Sequence, residues 1–555
     1  MSDIYLSKVK IKNFKKFKDP FTLILNQGVN ILVGENEEGK STILEAIHLA
    51  LTGILNGKYL WNELSEYLFN KDVVNEYLAN LSQRRNVEPP EILIEVYFAG
   101  SSASVYEGDD NTEHKGNTGL YLKIALDERE RGIYLDYIKS DVVSALPIEY
   151  YEVTWSSFSR DSITPKHIPV KSVLIDSSSA RNPNGSDLYI AHIIKNHLED
   201  RHKNMLAQAH RRLQHSFLNE KSVQTVNEII KNMSNKAVKD RELSLSVDLS
   251  TKNVWENGMT SYVQGVPFHH IGKGHQAIIK TKLSLARKKA QKANFILLEE
   301  PENHLSHTRL NELVTDINDS LSEGGKQILI STHSSFVANK LGLDKLILLN
   351  SCKQTRLEEL TPDTISFFRK ISGYDTLRLI LCRSAILCEG DSDELIIQKA
   401  YRIKYGKLPI EDGVEVMAVG LSFDRYIEIA ERLSKRVAVV TDNDGKSNFL
   451  IKKFKDYYFT GKTVQAFFDI DDDCRTLEPQ LIKANGWQRV NQILDLRKKA
   501  TKDQELGDYR FGNETELLEY MLSNKTDCAL LFFDTSKALK IPEYINNAIT
   551  HAKGE

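Results

Sequence analysis

Cysteine is scarce in this sequence, five in 555 residues, and unpatterned: Cys352, Cys382, Cys388, Cys474 and Cys528 form no C-x-x-C pair. That argues against a disulfide framework and a zinc ribbon, and points to a reducing, cytoplasmic setting. Long apolar runs are missing too. The longest are strand-sized, well short of the roughly 18–20 residues that span a bilayer, and the opening MSDIYLSKVKIKNFKKF has lysines but no apolar signal-peptide core. No membrane partner is expected. Charge of one sign is also lacking: 73 Lys and Arg against 76 Asp and Glu leave a net charge of -3, so any surface for a polyanion must be local. Two clusters qualify, Lys8, Lys10, Lys12, Lys15, Lys16 and Lys18 near the start, and Arg201, Lys203, Arg211 and Arg212 further on. Each reads equally well as a solvated charged face. Internal repeats and low-complexity tracts are absent.

What is present is the composition of a globular protein, 41% apolar and 27% charged, in a chain long enough for two to four domains. The pattern is α/β. Strands are predicted at IYLSKVKIKNF, FTLILNQGVNILV, EILIEVYFAG, GLYLKIALDE, GIYLDYI and VKSVLID, with a helix from Ser41 through TILEAIHLALTGIL. A Ser/Asn/Gly-rich break comes after Asp176, then a charged helical stretch free of proline and glycine. Strands return at NFILLEEP, KQILIST and KLILLN, and residues 351–380 read as a connector without a strong strand. A second α/β pattern begins at Ser384 with AILCEG, VEVMAVG and RVAVVTDND, and ends in helices. The expected division is 1–180 and 246–360 for a first domain, interrupted by a helical insertion at 181–245, then a connector at 361–380 and a second domain at 381–555.

Gly34-Glu35-Asn36-Glu37-Glu38-Gly39-Lys40-Ser41 comes directly after the apolar strand GVNILV and opens a helix. This is the setting of a phosphate-binding P-loop, in which glycines let backbone N–H groups face phosphates and the helix N-terminus adds partial positive charge. Lys40 is expected to bridge the β- and γ-phosphates, Ser41 to reach Mg²⁺ and Thr42 the α-phosphate. The strand Phe295–Leu298 delivers Glu299, suited to the Mg²⁺ ion that accompanies ATP, and Glu300, suited to polarising an attacking water. Pro301, Asn303-His304-Leu305 and a strand ending in Ser331-Thr332-His333 come next in order, and His333 is placed to contact the γ-phosphate.

These motifs resemble ATP-binding-cassette (ABC) ATPases of the SMC/RecF-like group, whose first strand the segment K-I-K-N-F-K-K-F also resembles. Glu299 stands where that family usually has Asp, as in the "EEP" of its OLD-like branch. The family's signature motif, which completes the site of a second subunit, is best matched by Ile271-Gly272-Lys273-Gly274-His275-Gln276. The resemblance therefore implies a homodimer or higher homo-oligomer formed through the ATPase domain, with ATP between two copies.

The second pattern carries acids at two strand ends: Glu389-Gly390-Asp391-Ser392-Asp393-Glu394 after AILC, and Asp442-Asn443-Asp444 after RVAVVT. Glu389 and Asp393 can face one point, and Asp442 and Asp444 project to one side. Carboxylates so gathered need cations, and oxygen-only donors favour Mg²⁺ or Mn²⁺. This order resembles a Toprim domain with its Rossmann-like parallel sheet. An ABC-type ATPase with a helical insertion, fused in front of Toprim, resembles the OLD (overcoming lysogenisation defect) nucleases over nearly the whole chain.

That resemblance implies an ATP-regulated endonuclease that cuts DNA with two metal ions, in defence against phage. It carries further residues over: Glu478, in Thr476-Leu477-Glu478, as a second-metal ligand, and Lys525 as a lysine that stabilises the transition state. Glu389, Asp393 and Asp442 would then serve one ion, and Asp442, Asp444 and Glu478 the other. OLD-like nucleases act alone, beside a helicase in the Gabija arrangement, or as a retron effector with a reverse transcriptase and its DNA–RNA product. Two other readings stay open at this level: an SMC-like structural or repair ATPase on DNA with vestigial Toprim acids, and an RNA-directed nuclease. No base-reading motif is visible.

Overall fold

The computed structural model describes residues 4–56, 58–100, 104–140, 143–168, 170, 172–176, 200–234, 261–285, 295–303, 305–322, 326–350, 352–357, 360–371, 373, 375–455, 457, 462–496 and 510–555. The Ser/Asn/Gly-rich break, both flanks of the helical insertion and His304 lie outside the described residues. Two compact units emerge, one of residues 1–332 with 349–354, the other of 333–348 with 355–555.

In the first unit β1 (Tyr5–Lys12), β2 (Phe21–Ile24), β3 (Val29–Val33), α1 (Lys40–Thr52), α2 (Lys71–Ser82), β4 (Ile92–Ala99), β5 (Asn117–Leu126), α3 (Arg131–Ser140), β6 (Tyr151–Ser157) and β7 (Ser172–Asp176) come first. Next along the chain are α4 (Asp200–Leu218), α5 (Lys221–Ser234), α6 (Lys273–Leu285), β8 (Phe295–Glu299), α7 (His307–Ser322) and β9 (Gln327–Ser331). One sheet is antiparallel, in the order β2-β1-β4-β5-β6. The other contains the parallel run β7-β8-β9-β3. The strand cores VNILV, FILL and QILIS are buried throughout, because a parallel strand is covered on both faces and so reads as a continuous apolar run.

Two segments of this unit differ from the sequence expectation. GIYLDYI forms the helix α3 rather than a strand. It buries Tyr134 completely, bonded to the Tyr77 hydroxyl, while Ile133 remains 59% exposed. A short apolar run fits either period, and here the helical one prevails. The strand next to β5 is instead YEVTWSS, whose burial alternates residue by residue.

The N-terminal lysines are largely neutralised. Lys8 and Lys10 pair with Glu113, Lys12 with Glu91, Lys15 with Glu45 and Lys18 with Glu76. Lys8 also lies 4.1 Å from the centre of the Tyr97 ring. Of the second cluster, Arg201, Arg211 and Arg212 are exposed on α4.

On the P-loop helix α1, His48 is largely buried, its Nδ1 3.0 Å from the Ser172 hydroxyl. Burial depresses its pKa to about 4. An unfolded chain takes up this proton near pH 6.5, so the neutral imidazole's contribution is complete above that value and is lost as pH falls toward 4. The loss amounts to roughly 3 kcal/mol at most. Melting curves at about pH 7.5 and about pH 5 should show a smaller drop for His48→Gln than for wild type.

The second unit opens with α8 (Ser335–Leu341), α9 (Pro362–Lys370) and α10 (Thr376–Leu381), so the predicted connector is substantially helical. The buried Thr376 hydroxyl donates to Asn339 Oδ1 at 2.6 Å. Beyond them lie β10 (Ser384–Cys388), α11 (Asp391–Tyr405), β11 (Val414–Ala418), α12 (Phe423–Arg432), β12 (Arg436–Val440), α13 (Ser447–Lys453) and β13 (Val464–Phe467). The helices α14 (Leu477–Asn485), α15 (Trp487–Leu494), α16 (Glu514–Ser523), α17 (Lys525–Asp534) and α18 (Glu543–Lys553) close it. The sheet is parallel in the order β11-β10-β12-β13. The chain leaves β10 toward one side and returns to the other at β12, which opens a crevice at the carboxyl ends of these two neighbours.

Candidate active sites: a phosphate loop and an acidic crevice

In the first unit, register aligns Glu299 at the end of β8 with Ser331 at the end of β9, and the Thr332 N–H bonds Leu32 O of β3 at 3.2 Å. The P-loop and both acidic residues therefore leave the same sheet edge. Glycine is required at two points. A Cβ on Gly34 would sit 2.8 Å from the Leu349 carbonyl oxygen, and Gly39 has φ +91 with Phe17 Cζ 2.9 Å from where a Cβ would lie. The alanine variant Gly39→Ala should weaken ATP binding about tenfold through backbone strain of ~1–2 kcal/mol, measurable by fluorescent-nucleotide titration with unchanged circular dichroism.

Lys40 is folded back onto its loop, donating to Gly34 O at 2.9 Å and Glu35 O at 3.0 Å. Burial lowers its pKa, opposed by Glu300, Glu38, Glu302 and Glu299. Burial, with Glu302 next, pushes Glu300 up to about 8. Its backbone, at φ +43, is held by the bond from Glu300 N–H to Ser331 O. Glu302 accepts the Thr332 hydroxyl at 2.7 Å. Sequence reasoning passed over Glu302, although the E-E-P-E spelling was the available signal. Ser41 is exposed in the first turn of α1, Thr42 is buried, Asn36 sits exposed at the loop tip, and His333 is exposed just beyond β9. Gly272, Lys273 and Gly274 open α6, where the Gln276 side chain caps Ile271 O at 2.8 Å. Among the described residues no hydrogen bond or ion pair joins those three to the P-loop.

In the second unit, Glu389 directly follows β10 and accepts from the Asp442 N–H at 3.1 Å and from the Thr441 hydroxyl, which locks the two strand ends together. Asp393, in the first turn of α11, accepts the Gly390 N–H at 3.0 Å. Glu478, 4% exposed, starts α14; its Oε2 takes the Thr476 hydroxyl at 2.7 Å and lies 3.6 Å from Lys525 Nζ. These charges act on one another. Burial first, then Asp393, Glu389 and Glu478, pushes Asp442 up to about 8, against the pull of Lys525. Asp393 rises to about 6, by burial and then chiefly Glu389 and Glu478. Asp444 stands apart, exposed at φ +51 and absent from the charges that act most on that pair.

Glu389, Asp393, Asp442, Glu478 and Lys525 thus share the crevice. Among the described residues, no group of three or more His, Cys, Asp or Glu side chains is already disposed to hold a metal ion. The oxygen-only donors nevertheless fit a hard divalent cation, since neighbouring carboxylates partly withdrawn from water repel one another until a cation neutralises them.

Fold and sites together define an ATPase domain followed by a TOPRIM domain. The chain belongs to the family described as AAA domain, whose model matches residues 8–362, and residues 380–444 match the model of the "Overcoming lysogenization defect protein-like, TOPRIM domain". Over 50 residues the chain is 36% identical to the DNA replication and repair protein RecF of Acetivibrio thermocellus, a stretch covering 9% of this chain and 13% of that protein. Solved structures that the chain matches include the SMC head domain from Thermotoga maritima, with 13% identity, 64% of this chain and 99% of that one covered, and a TM-score of 0.28. Another is the C-terminal region of the Xanthomonas campestris pv. campestris OLD protein, with 20% identity, 32% and 94% covered, and a TM-score of 0.24. No helix among the described residues is long and apolar enough to cross a membrane.

Proposed function

We propose that the chain is an ATP-regulated, divalent-metal-dependent endonuclease that cleaves DNA, acting as a homo-oligomer in defence against phage. The observation that carries this reading is the crevice between β10 and β12, where Glu389, Asp393, Asp442 and Glu478 converge with Lys525 beside them. Glu389, Asp393 and Asp442 would hold one Mg²⁺ or Mn²⁺, and Asp442, Asp444 and Glu478 the other. When bound, two such ions supply an activated water and charge neutralisation at the leaving oxygen. Lys525 faces the developing negative charge of the phosphate, the kind of preorganised partner that lowers a barrier most. In the first unit, Lys40 and the loop backbone bind the nucleotide phosphates, and Glu300 orients the attacking water. Signature residues Gly272, Lys273 and Gly274 would act on the nucleotide of a second copy.

A substrate panel tests the reading: duplex DNA, single-stranded DNA and tRNA, with Mg²⁺ or Mn²⁺, with and without ATP, on wild type, Lys40→Ala and Asp442→Ala. Cleavage of DNA that depends on Asp442 supports it. Cleavage confined to tRNA would replace DNA with RNA as substrate, and no cleavage of any nucleic acid would leave an ATPase alone.

A further inference from the structure

Between Asp442 and Asp444 lies a residue that the proposed chemistry does not use. Asn443 is 1% exposed, and its amide is fully engaged. Nδ2 donates to Asp471 O at 2.7 Å, Asp469 O at 3.0 Å and, at greater length, Cys474 O at 3.3 Å; Oδ1 accepts the Gly445 N–H at 2.8 Å. Asp444 N–H adds a bond to Arg475 O at 3.1 Å. The turn after β12 is in this way sewn to the loop 469–475, which joins β13 to α14.

A second anchor reaches the same loop from the other side. Gln480 on α14, 1% exposed, donates to Cys474 O at 3.0 Å, and its Oε1 accepts the Tyr544 hydroxyl of α18 at 2.6 Å. The Cys474 carbonyl is therefore shared by Asn443 and Gln480. Glu478 comes directly after this loop, two residues before Gln480 and bonded to Thr476. An amide is the only side chain of this size that can both donate to several carbonyls and accept a backbone N–H. Buried polar chains with every member satisfied hold one geometry rigidly.

We infer that Asn443, with Gln480 and Tyr544, is a positioning network that sets Glu478 against Asp442 and so determines the affinity of the second divalent cation. The inference rests on the reading of this crevice as a two-cation site. Asn443 touches no reacting atom; it acts through the loop that carries Glu478 into place.

Mn²⁺ alone, added to the full-length protein without nucleotide and followed by the electron paramagnetic resonance of free Mn²⁺, is the test. Wild type should bind two ions that Asp442→Ala abolishes. In Asn443→Asp, which keeps the acceptor and loses the donor, and in Tyr544→Phe, which removes one hydroxyl, the weaker site should lose roughly 10–100-fold in affinity while the tighter one is retained, the range seen for outer-shell partners of metal ligands. Unchanged binding, or an equal loss at both sites as a general loosening of the fold would give, overturns the inference. If Asn443→Asp fails to fold, Tyr544→Phe decides. Wild type without Asp442-dependent Mn²⁺ binding would sink the two-cation reading itself, a result distinct from the others.

Discussion

Asp442→Ala is expected to abolish nicking of plasmid DNA in Mg²⁺ or Mn²⁺, by at least roughly 10³-fold or about 4 kcal/mol of transition-state stabilisation, while ATP hydrolysis continues. The size of the effect comes from where Asp442 stands. It stands just past β12 beside Glu389, is pressed by Asp393 and Glu478, and in the proposed site would contribute to both cations. Deleting it removes a donor from both half-sites but leaves the backbone bonds of the Asn443 turn in place, so the fold should survive. Glu389→Ala should behave alike, with the added loss of the bonds from Thr441 and Asp442 N–H. Plasmid nicking by either protein at the wild-type rate would show that the crevice is not the nuclease centre.

Lys40→Ala is expected to produce the reverse pattern at the first site: ATP turnover down by at least about 10²-fold, with the Mn²⁺ binding of the acidic crevice unchanged. Lys40 is the cation about which Glu300, Glu38, Glu302 and Glu299 are arranged, and its head group spans Gly34 O and Glu35 O at the loop. Without it the acids lose their local counter-charge and the phosphates lose theirs. A phosphate-release assay checks turnover. The same variant in the nicking assay reports whether ATP licenses or restrains cleavage, because loss of cutting and gain of cutting are opposite signs of the same coupling.

Much of this architecture was legible in the residues because the informative strands are buried on both faces. VNILV, FILL and VAVV spell continuous buried apolar runs, and the proposed site residues follow at their carboxyl ends. The glycines of the P-loop were legible for a related cause, since φ +91 at Gly39 and the crowding at Gly34 leave no room for another residue. Where two periods fit a short run, the residues decided nothing: α3 is aromatic and apolar at spacings that suit either, and only packing makes it a helix that buries Tyr134, whereas β6 alternates strictly in burial. Glu302 and Asn443 were spelled in plain view, but a polar residue's role depends on what its side chain reaches. Thr332 for the one, and three carbonyls of the loop 469–475 for the other, come from distant parts of the chain. The proximity of Lys525 to Glu478 is of the same kind, a meeting of two helices that no local pattern announces.

The glutamates that answer the lysines of β1 have a consequence for how the proposed function would engage a polyanion. Lys8, Lys10 and Lys12 line one face of the strand, and Glu113 and Glu91 already occupy them. A nucleic acid laid there would find its condensed ions with little to exchange for, so that face contributes almost nothing to the steepness with which binding falls as salt is added. Lys10→Gln should therefore leave the slope of log affinity against log salt unchanged on fluorescence-anisotropy titration. If the chain cuts DNA as proposed, its grip on that polymer has to come from elsewhere on the molecule.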